Sequence, residues 1–392
     1  MLYKLLVEIS KPNDLCFLCR MTTDLSQLIV EKCYEKYRTL PKKGKPKDTE
    51  WTVLSCLALV KAGEGEVSLV SLATGTKCLD GLTRRNSLAG TLLHDSHAEI
   101  LARRGFLLWL LHQIELAQSD KSPYIQQAGD GGGGFVLSAE YRVVMVSTST
   151  PCGDASIFLK ETAEPSMKKP RLDLSRTGAK PVVAGCDPLE PGLGYHTTGH
   201  LRTKPGRGQR TLSLSCSDKI LKWNLLGLQG GLLSFLLAAN IYLDTFIIAD
   251  QTFSPDSMER AFYGRADYPG VNQPALVKVD LQFEGSKSSA RLKPSPDSLV
   301  WVGVEGGRHE AVTEGHRQGW AAKRLDNSKS WSMLCQRNIA RTFLQLYQGK
   351  AYSTYDELKK HSKYYSAKKS LEVEILKSWP VKSVSAFSLD KL

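Results

Sequence analysis

The sequence predicts an α/β fold. Apolar strand candidates alternate with helical patterns through its first half, and the helical segments are long enough to cover a sheet. Apolar residues make up 42% of the 392 positions, which suffices for a substantial core in one large domain or two ordinary ones.

Residues 24–37, DLSQLIVEKCYEKY, carry apolar side chains at helical spacing behind Asp24, a residue suited to capping, and LPKKGKPK then breaks the helix. WTVLSCLALV (51–60) reads as a buried strand, and EVSLVSLATGTKC (66–78) as a second one ending in a glycine turn. A helix is expected from about Ser96 to Gln118. SDKSPYIQQAGDGGGG is a loop that leads to a third strand, YRVVMVSTST (141–150), and PCGDASIFLK looks like a strand-to-helix turn. Residues 160–211, rich in Pro, Gly, Lys and Arg, read as a long excursion over the surface. Within them MKKPRL has the form of a nuclear address, but a solvated loop is the better account of it. A helix is expected in SCSDKILKWNLLGL from Ser215, a second apolar helix after the glycines, and a strand in IYLDTFIIAD. Beyond these come short strand-like pieces such as LVWVGVE and helical patterns from about Ser330. No internal repeat is visible, and no composition shift marks an internal domain boundary.

Lys and Arg outnumber Asp and Glu by 52 to 40, and the net charge of +12 favours a polyanionic partner such as nucleic acid. The nine cysteines are odd in number and irregularly spaced. The opening MLYKLLVEISK is broken by Lys4 and Glu8 and makes a poor signal peptide, so reduced thiols in the cytosol or nucleus are expected. The longest apolar region, Leu225 to Ala249, is interrupted by Gln229, Ser234, Asn240 and Asp244, which argues against a membrane span. Cys16 and Cys19 form a CxxC with no second pair nearby to complete a zinc ribbon.

A catalytic zinc takes three nitrogen or sulfur ligands and keeps one position open. His97, Cys152 and Cys216 each stand at or just before a predicted helix start, where the helix dipole favours a thiolate, and they come from three separate segments. Glu99, two residues beyond His97, is the candidate general acid and base beside the metal. Taken singly, each has a bland account: a capping or core histidine, an acid favoured in a first turn, two buried thiols. Together, H-A-E followed by P-C-G follows the zinc deaminase signature H-x-E…P-C-x-x-C, except that residue 155 is Ala and the next candidate thiol is the distant Cys216.

HAE, PCGDASIF and SCSDKILKWNLLGLQGGLLS, in that order, resemble the deaminase domain of the adenosine deaminases acting on RNA, with a likeness running from about Met21 to the C-terminus. The resemblance implies a cytidine-deaminase-like three-layer α/β/α core with a mixed sheet, extended by a C-terminal, largely helical part. It implies a zinc-bearing core over about 51–265, a supporting part over about 266–392, and residues 1–20 as an extension outside the deaminase domain. It assigns Cys216 as the third Zn2+ ligand with His97 and Cys152, and implies hydrolytic conversion of adenosine to inosine. In that chemistry Glu99 moves protons between water, N1 of adenine and the departing ammonia. LPKKGKP, TGTKC, RTGAK and KPGRGQRT resemble the family's tRNA-acting branch, whose substrate is adenosine 37 beside the anticodon of alanine tRNA. With only about fifty residues before the first strand, no double-stranded-RNA-binding module is expected. The implied partner is tRNA, with no membrane and no obligate protein partner. Thr76 and Lys77 would touch the ribose and phosphate of the target nucleotide; a plain strand-ending turn is the competing account of them.

Arg103 and Arg104 lie inside an apolar helix, where unpaired cations are costly. Lys219, Lys222 and Trp223 repeat the theme, and YDELKKHSKYYSAKK adds lysines and tyrosines. For these the resemblance implies a buried inositol hexakisphosphate cofactor, contacted by Arg103, Arg104, Ser213, Lys219, Lys222, Trp223, Gln229, Tyr355, Lys359, Tyr365, Lys369 and Trp379. Snorkelling arginines and a solvated, RNA-gripping lysine helix are the competing accounts. Two positions depart from the family: Gln336 replaces a lysine, and His94 replaces an asparagine three residues before the metal histidine. A deaminase of double-stranded RNA and a catalytically inactive RNA-binding scaffold are the alternative functions; the scaffold fits poorly with retention of Glu99 and all three ligands.

Overall fold

Strand β1, Leu54–Lys61, sends Leu57 and Leu59 into one apolar layer and Cys56, Ala58 and Val60 into another. A strand buried on both faces requires a covering layer on each. On one side lies helix α1, Thr23–Thr39, whose Ile29, Val30, Cys33, Tyr34 and Tyr37 form the seam predicted by its periodicity. On the other lies α2, Ala98–Ala117, apolar around nearly its whole circumference and packed on the sheet with Phe106, Trp109 and Leu110. The result is the α/β/α core implied by the sequence.

The structure is a computed structural model and describes residues 23–79, 88–129, 133–158, 177–183, 197–206, 211–250, 252–320, 324–325, 327–380, 387–390 and 392. The segment 1–20, Cys16 and Cys19, the MKKPRL run, Arg176 of RTGAK and residues 207–210 of KPGRGQRT lie outside the described residues.

Among the described residues the main sheet has eight strands. They are β1, β2 (Val67–Thr74), β5 (Tyr141–Ser147), β6 (Thr245–Ile248), β7 (Ala275–Lys278), β8 (Asp297–Val302), β9 (Arg308–Thr313) and β10 (His316–Arg317), in the order β7-β6-β5-β1-β2-β8-β9-β10. β6 runs parallel to both β5 and β7, and the remaining pairs are antiparallel, so the sheet is mixed. A separate two-stranded ladder joins β3 (Thr76–Cys78) to β4 (Asp95–His97) and delivers the chain into α2. Helix α3 spans Cys216–Leu226. Near the C-terminus, α4 (Gln336–Leu346) packs on α2, while α5 (Tyr355–Lys360) and α6 (Lys363–Glu374) pack on the single turn Gly230–Leu233.

Three sequence expectations change. The second apolar helix after the glycines is only that single turn, because the Gln229 side chain ties the segment into a loop: it donates to Leu226 O and accepts from Ile241 N. The part beyond residue 265 supplies four strands of the main sheet as well as helices. The 160–211 excursion is not confined to the surface: Arg202 and Lys204 are fully buried, their charges met inside by carbonyls and by Asp95. Among the described residues, no helix is long and apolar enough to cross a membrane.

Candidate active site

The N-terminal ends of two helices meet the end of a central strand. His97 caps α2 with extended backbone, and its ring makes no capping hydrogen bond, which leaves it free to face the neighbouring thiols. Cys216 opens α3 directly after its cap, Ser215, whose hydroxyl accepts from Asp218 N. Cys152 sits in the turn after β5, where the chain has just left the sheet. That turn depends on Gly153, which has φ 109° and approaches α3 so closely that a Cβ would lie 2.1 Å from Ser215 Oγ.

These elements bring His97 Nδ1 within 3.9 Å of Cys152 Sγ and 3.5 Å of Cys216 Sγ, and the three ligand atoms all lie within 4.8 Å of one another. One nitrogen and two sulfurs at this spacing suit a tetrahedral metal with a position left open. The thiols are electrostatically unequal. The hydrogen bond with Cys216, aided by Lys204 and His97, holds Cys152 well below the usual thiol range, while burial pushes Cys216 up. Glu99 stands in the first turn of α2, outside the ligand cluster and 3% exposed. Burial raises its carboxyl above the usual range, and the neighbouring Cys152 adds to the shift. A carboxyl so placed holds its proton more tightly than an exposed one and stands where it can pass that proton on.

The sequence reading missed a second layer. Asp95, two residues before His97, receives Lys204 Nζ at 3.0 and 2.9 Å, Ser213 Oγ at 2.8 Å and the ammonium of Lys219. Its Oδ1 also accepts His97 N at 3.1 Å. Lys204 Nζ reaches Cys216 Sγ as well, at 3.2 Å, so one buried cation spans the carboxylate and a metal-type thiol. Burial opposes the charge of Asp95, but Lys204 and Lys219 outweigh it and hold the carboxyl well below its usual range. Lys204 was hidden in a Pro/Gly-rich stretch that reads as solvated; its only sequence signal was membership of KPGRGQRT.

Thr76 and Lys77 lie on β3 opposite His97 and Ser96, at the edge of the same site. Their turn requires Gly75, since a Cβ there would fall 2.0 Å from Ser96 O. The hydroxyl of Thr76 is buried without a hydrogen-bond partner among the described residues.

The adenosine-deaminase (editase) domain model matches residues 71–383, a span that holds every residue of this site. The chain belongs to that family. It is 36% identical over 332 residues to tRNA-specific adenosine deaminase 1 of Drosophila melanogaster, covering 81% of each chain. It is 30% identical to the Homo sapiens protein of the same name, covering 90% of this chain and 97% of that one. The likeness to the double-stranded RNA-specific editase Adar of Drosophila melanogaster is 32% over 52% of this chain and 30% of that protein. The protein is therefore a deaminase enzyme with a His-Cys-Cys cluster compatible with zinc.

Beside the cluster the deaminase gathers cations. Arg103 donates to Leu228 O and lies 5.4 Å over the Trp223 ring, and Arg104 donates to Leu334 O at 2.6 Å, so neither arginine simply snorkels to solvent. Burial lowers Arg103 to about 10, and burial together with Arg103, Lys368, Lys219 and Lys359 pushes Lys222 well below the usual lysine range. Lys222 stacks over Trp379 at 5.0 Å and Lys359 over Tyr355 at 5.3 Å. Ser213 and Lys219 join this cluster to Asp95. Gln229 is engaged with the protein on both ends of its amide. Tyr365 and Lys369 contact each other, and exposed Lys369 pairs with Glu372 at 2.7 Å. Their preceding neighbours, Tyr364 and Lys368, are the ones that interact with Arg103 and Lys222.

Proposed function

We propose that this protein is a zinc-dependent deaminase converting adenosine to inosine in tRNA, with adenosine 37 of alanine tRNA as the substrate. The observation carrying the chemistry is the His97–Cys152–Cys216 cluster beside buried, non-ligating Glu99. The choice of tRNA rests on the two relatives named tRNA-specific adenosine deaminase 1, matched over 81% and 97% of their own length, whereas the double-stranded RNA editase is matched over 30% of its length.

The donor set fits Zn2+, which when bound lowers the pKa of a water towards neutrality. Glu99 is the residue that takes a proton from the attacking water and delivers it to N1 of adenine as the water oxygen adds to C6. Glu99, a carboxylate again, takes the second proton from the new C6 hydroxyl and passes it to the amine; C6–N6 breaks as the C6 carbonyl forms, and ammonia leaves with inosine behind it. Adenosine and water are consumed; inosine and ammonia are formed. Burial raises the Glu99 carboxyl above the ordinary range, which favours its protonated form and suits the donating half of this exchange. The target base has to leave its stack to expose C6, which an anticodon loop permits. Thr76 and Lys77 at the site's edge contact the extruded nucleotide's ribose and phosphate, and the unpartnered Thr76 hydroxyl supplies the hydrogen bond.

The second cofactor in this reading is inositol hexakisphosphate. Like charges on Arg103, Lys219 and Lys359 press on half-buried Lys222, and Arg103 Nε is buried with no partner among the described residues. A dense polyanion among them answers both facts.

Incubation of the purified protein with alanine tRNA and with a long RNA duplex tests the substrate. Inosine at position 37 of the tRNA, with the duplex unreacted, is expected; preference for the duplex would transfer the protein to the other branch.

A further inference from the structure

A second concave site lies away from the zinc cluster, at the edge of the main sheet. It is a cleft of about 290 Å³ between β9, β10 and the start of α4, lined by Glu310, Arg317, Lys329, Trp331, Asn338 and Arg341. The cations come from three different elements: Arg317 from β10, Lys329 from the turn Ser328–Ser330, and Arg341 from α4. Arg317 and Lys329 are exposed and form no ion pair or side-chain hydrogen bond among the described residues. Arg341 spends Nε on Leu392 O and Nη1 on Asn338. Among the described lining residues the one carboxylate, Glu310, lies at the buried side and already accepts from the Ser332 hydroxyl and from Met333 N at 3.0 Å. Among the described residues, three cations therefore face one engaged anion. The indole N–H of Trp331 is buried without an acceptor among the described residues, and an indole N–H can only donate. An occupant that answers these groups is anionic, rich in acceptor oxygens and small at the point of entry.

The cleft is tied to the catalytic segment from both sides. Arg337 N, at the start of α4, donates to Gly90 O, and Leu93 N donates to Gly315 O in the β9–β10 turn. Residues 90–93 then run directly into Asp95 and His97. The cleft is thus joined through two backbone hydrogen bonds to the segment that carries the active-site histidine.

We infer that the cleft holds a phosphodiester of the RNA substrate outside the reacting nucleotide, with Arg317, Lys329 and Arg341 on its oxygens and the Trp331 indole as a neutral donor. This deepens the tRNA reading and rests on it. Such a contact positions the RNA and takes no part in the chemistry, so it strengthens binding and its salt dependence without changing the bond-breaking step.

The test is a binding and rate comparison on the full chain with tRNA. Arg317→Ala/Lys329→Ala alters two exposed side chains and leaves the core intact. It is expected to weaken tRNA affinity about tenfold at low salt, to flatten the plot of log affinity against log salt by about one unit, and to leave kcat at saturating tRNA unchanged. Trp331→Phe, which keeps a ring and loses the N–H, is expected to weaken affinity in the same direction by a smaller factor. Unchanged affinity and slope would overturn the inference. So would an equal loss in Lys121→Ala/Lys350→Ala, which removes the same charge elsewhere. If the wild-type protein forms no inosine in tRNA while the cleft variants still bind it more weakly, the proposed function fails and the binding site stands.

Discussion

Lys204 Nζ lies 2.9 Å from Asp95 Oδ2 and 3.2 Å from Cys216 Sγ, so a single buried ammonium is shared by the carboxylate behind the metal histidine and by a metal-type thiol. Removing one partner of a buried pair leaves the other uncompensated, at a cost of about 3–5 kcal/mol. Lys204→Met is expected to lose stability on that scale in urea unfolding and to bind zinc more weakly. Asp95→Asn combined with Lys204→Met should lose less than the sum of the two single losses, because both single variants break the same pair, while Lys219 loses its carboxylate wherever Asp95 is replaced. Additive losses in the double variant would show that the pair is not coupled.

The Cys152 turn makes a second prediction. Gly153→Ala forces a side chain into a backbone at φ 109° and against Ser215 Oγ. Backbone strain alone costs about 1–3 kcal/mol. The expected outcome is a lower Tm together with reduced zinc content, since relief of the clash moves Cys152 away from α3. A variant with normal metal content and Tm would mean that the turn tolerates the displacement.

The His-Cys-Cys cluster was legible because metal-assisted deamination needs particular residue types. HAE, PCG and SCSDK each place a ligand or an acid at a helix start or strand end, where a short motif fixes the geometry. Lys204 was not legible, because nothing periodic marks a buried cation within a Pro/Gly-rich segment. Tyr365 and Lys369 show a finer limit. Adjacent residues on a helix point about 100° apart, and in KYYSAKK a one-residue shift exchanges one tyrosine–lysine pair for the other. The structure turns Tyr364 and Lys368 towards the cation cluster. β9 and β10 were missed because they are short and mix charged with apolar residues at the edge of the sheet. The central strands, with apolar side chains on both faces, stood out plainly.

The buried cations predict a polyanion. Phosphorus analysis of denatured, RNA-free protein is expected to give inositol hexakisphosphate at one equivalent. Lys222→Met should lower that occupancy and the Tm together, since Lys222 sits at the centre of the repelling charges. Finding no organic phosphate would remove the second cofactor and leave the zinc chemistry untouched.

Glu310 gives a pH dependence. Burial raises its folded-state pKa above the unfolded value of about 4.3, so the folded protein binds the proton more tightly than the unfolded chain. The associated stability is full below pH 4 and is lost as the pH rises through the folded-state value. Replacement by Gln, which cannot ionise, should therefore be more favourable relative to wild type at pH 7 than at pH 4, as measured by urea unfolding at each pH. A difference that does not change with pH would contradict the shift.

Everything turns on Glu99 as the proton carrier of a zinc deaminase. The most direct measurement is to incubate wild-type protein and Glu99→Gln with unfractionated tRNA, map inosine across the pool, and assay zinc in both proteins. The account predicts inosine at position 37 of alanine tRNA with the wild type, none with the variant, and one equivalent of zinc in each. Inosine formed by zinc-loaded Glu99→Gln at a rate near that of wild type would contradict it.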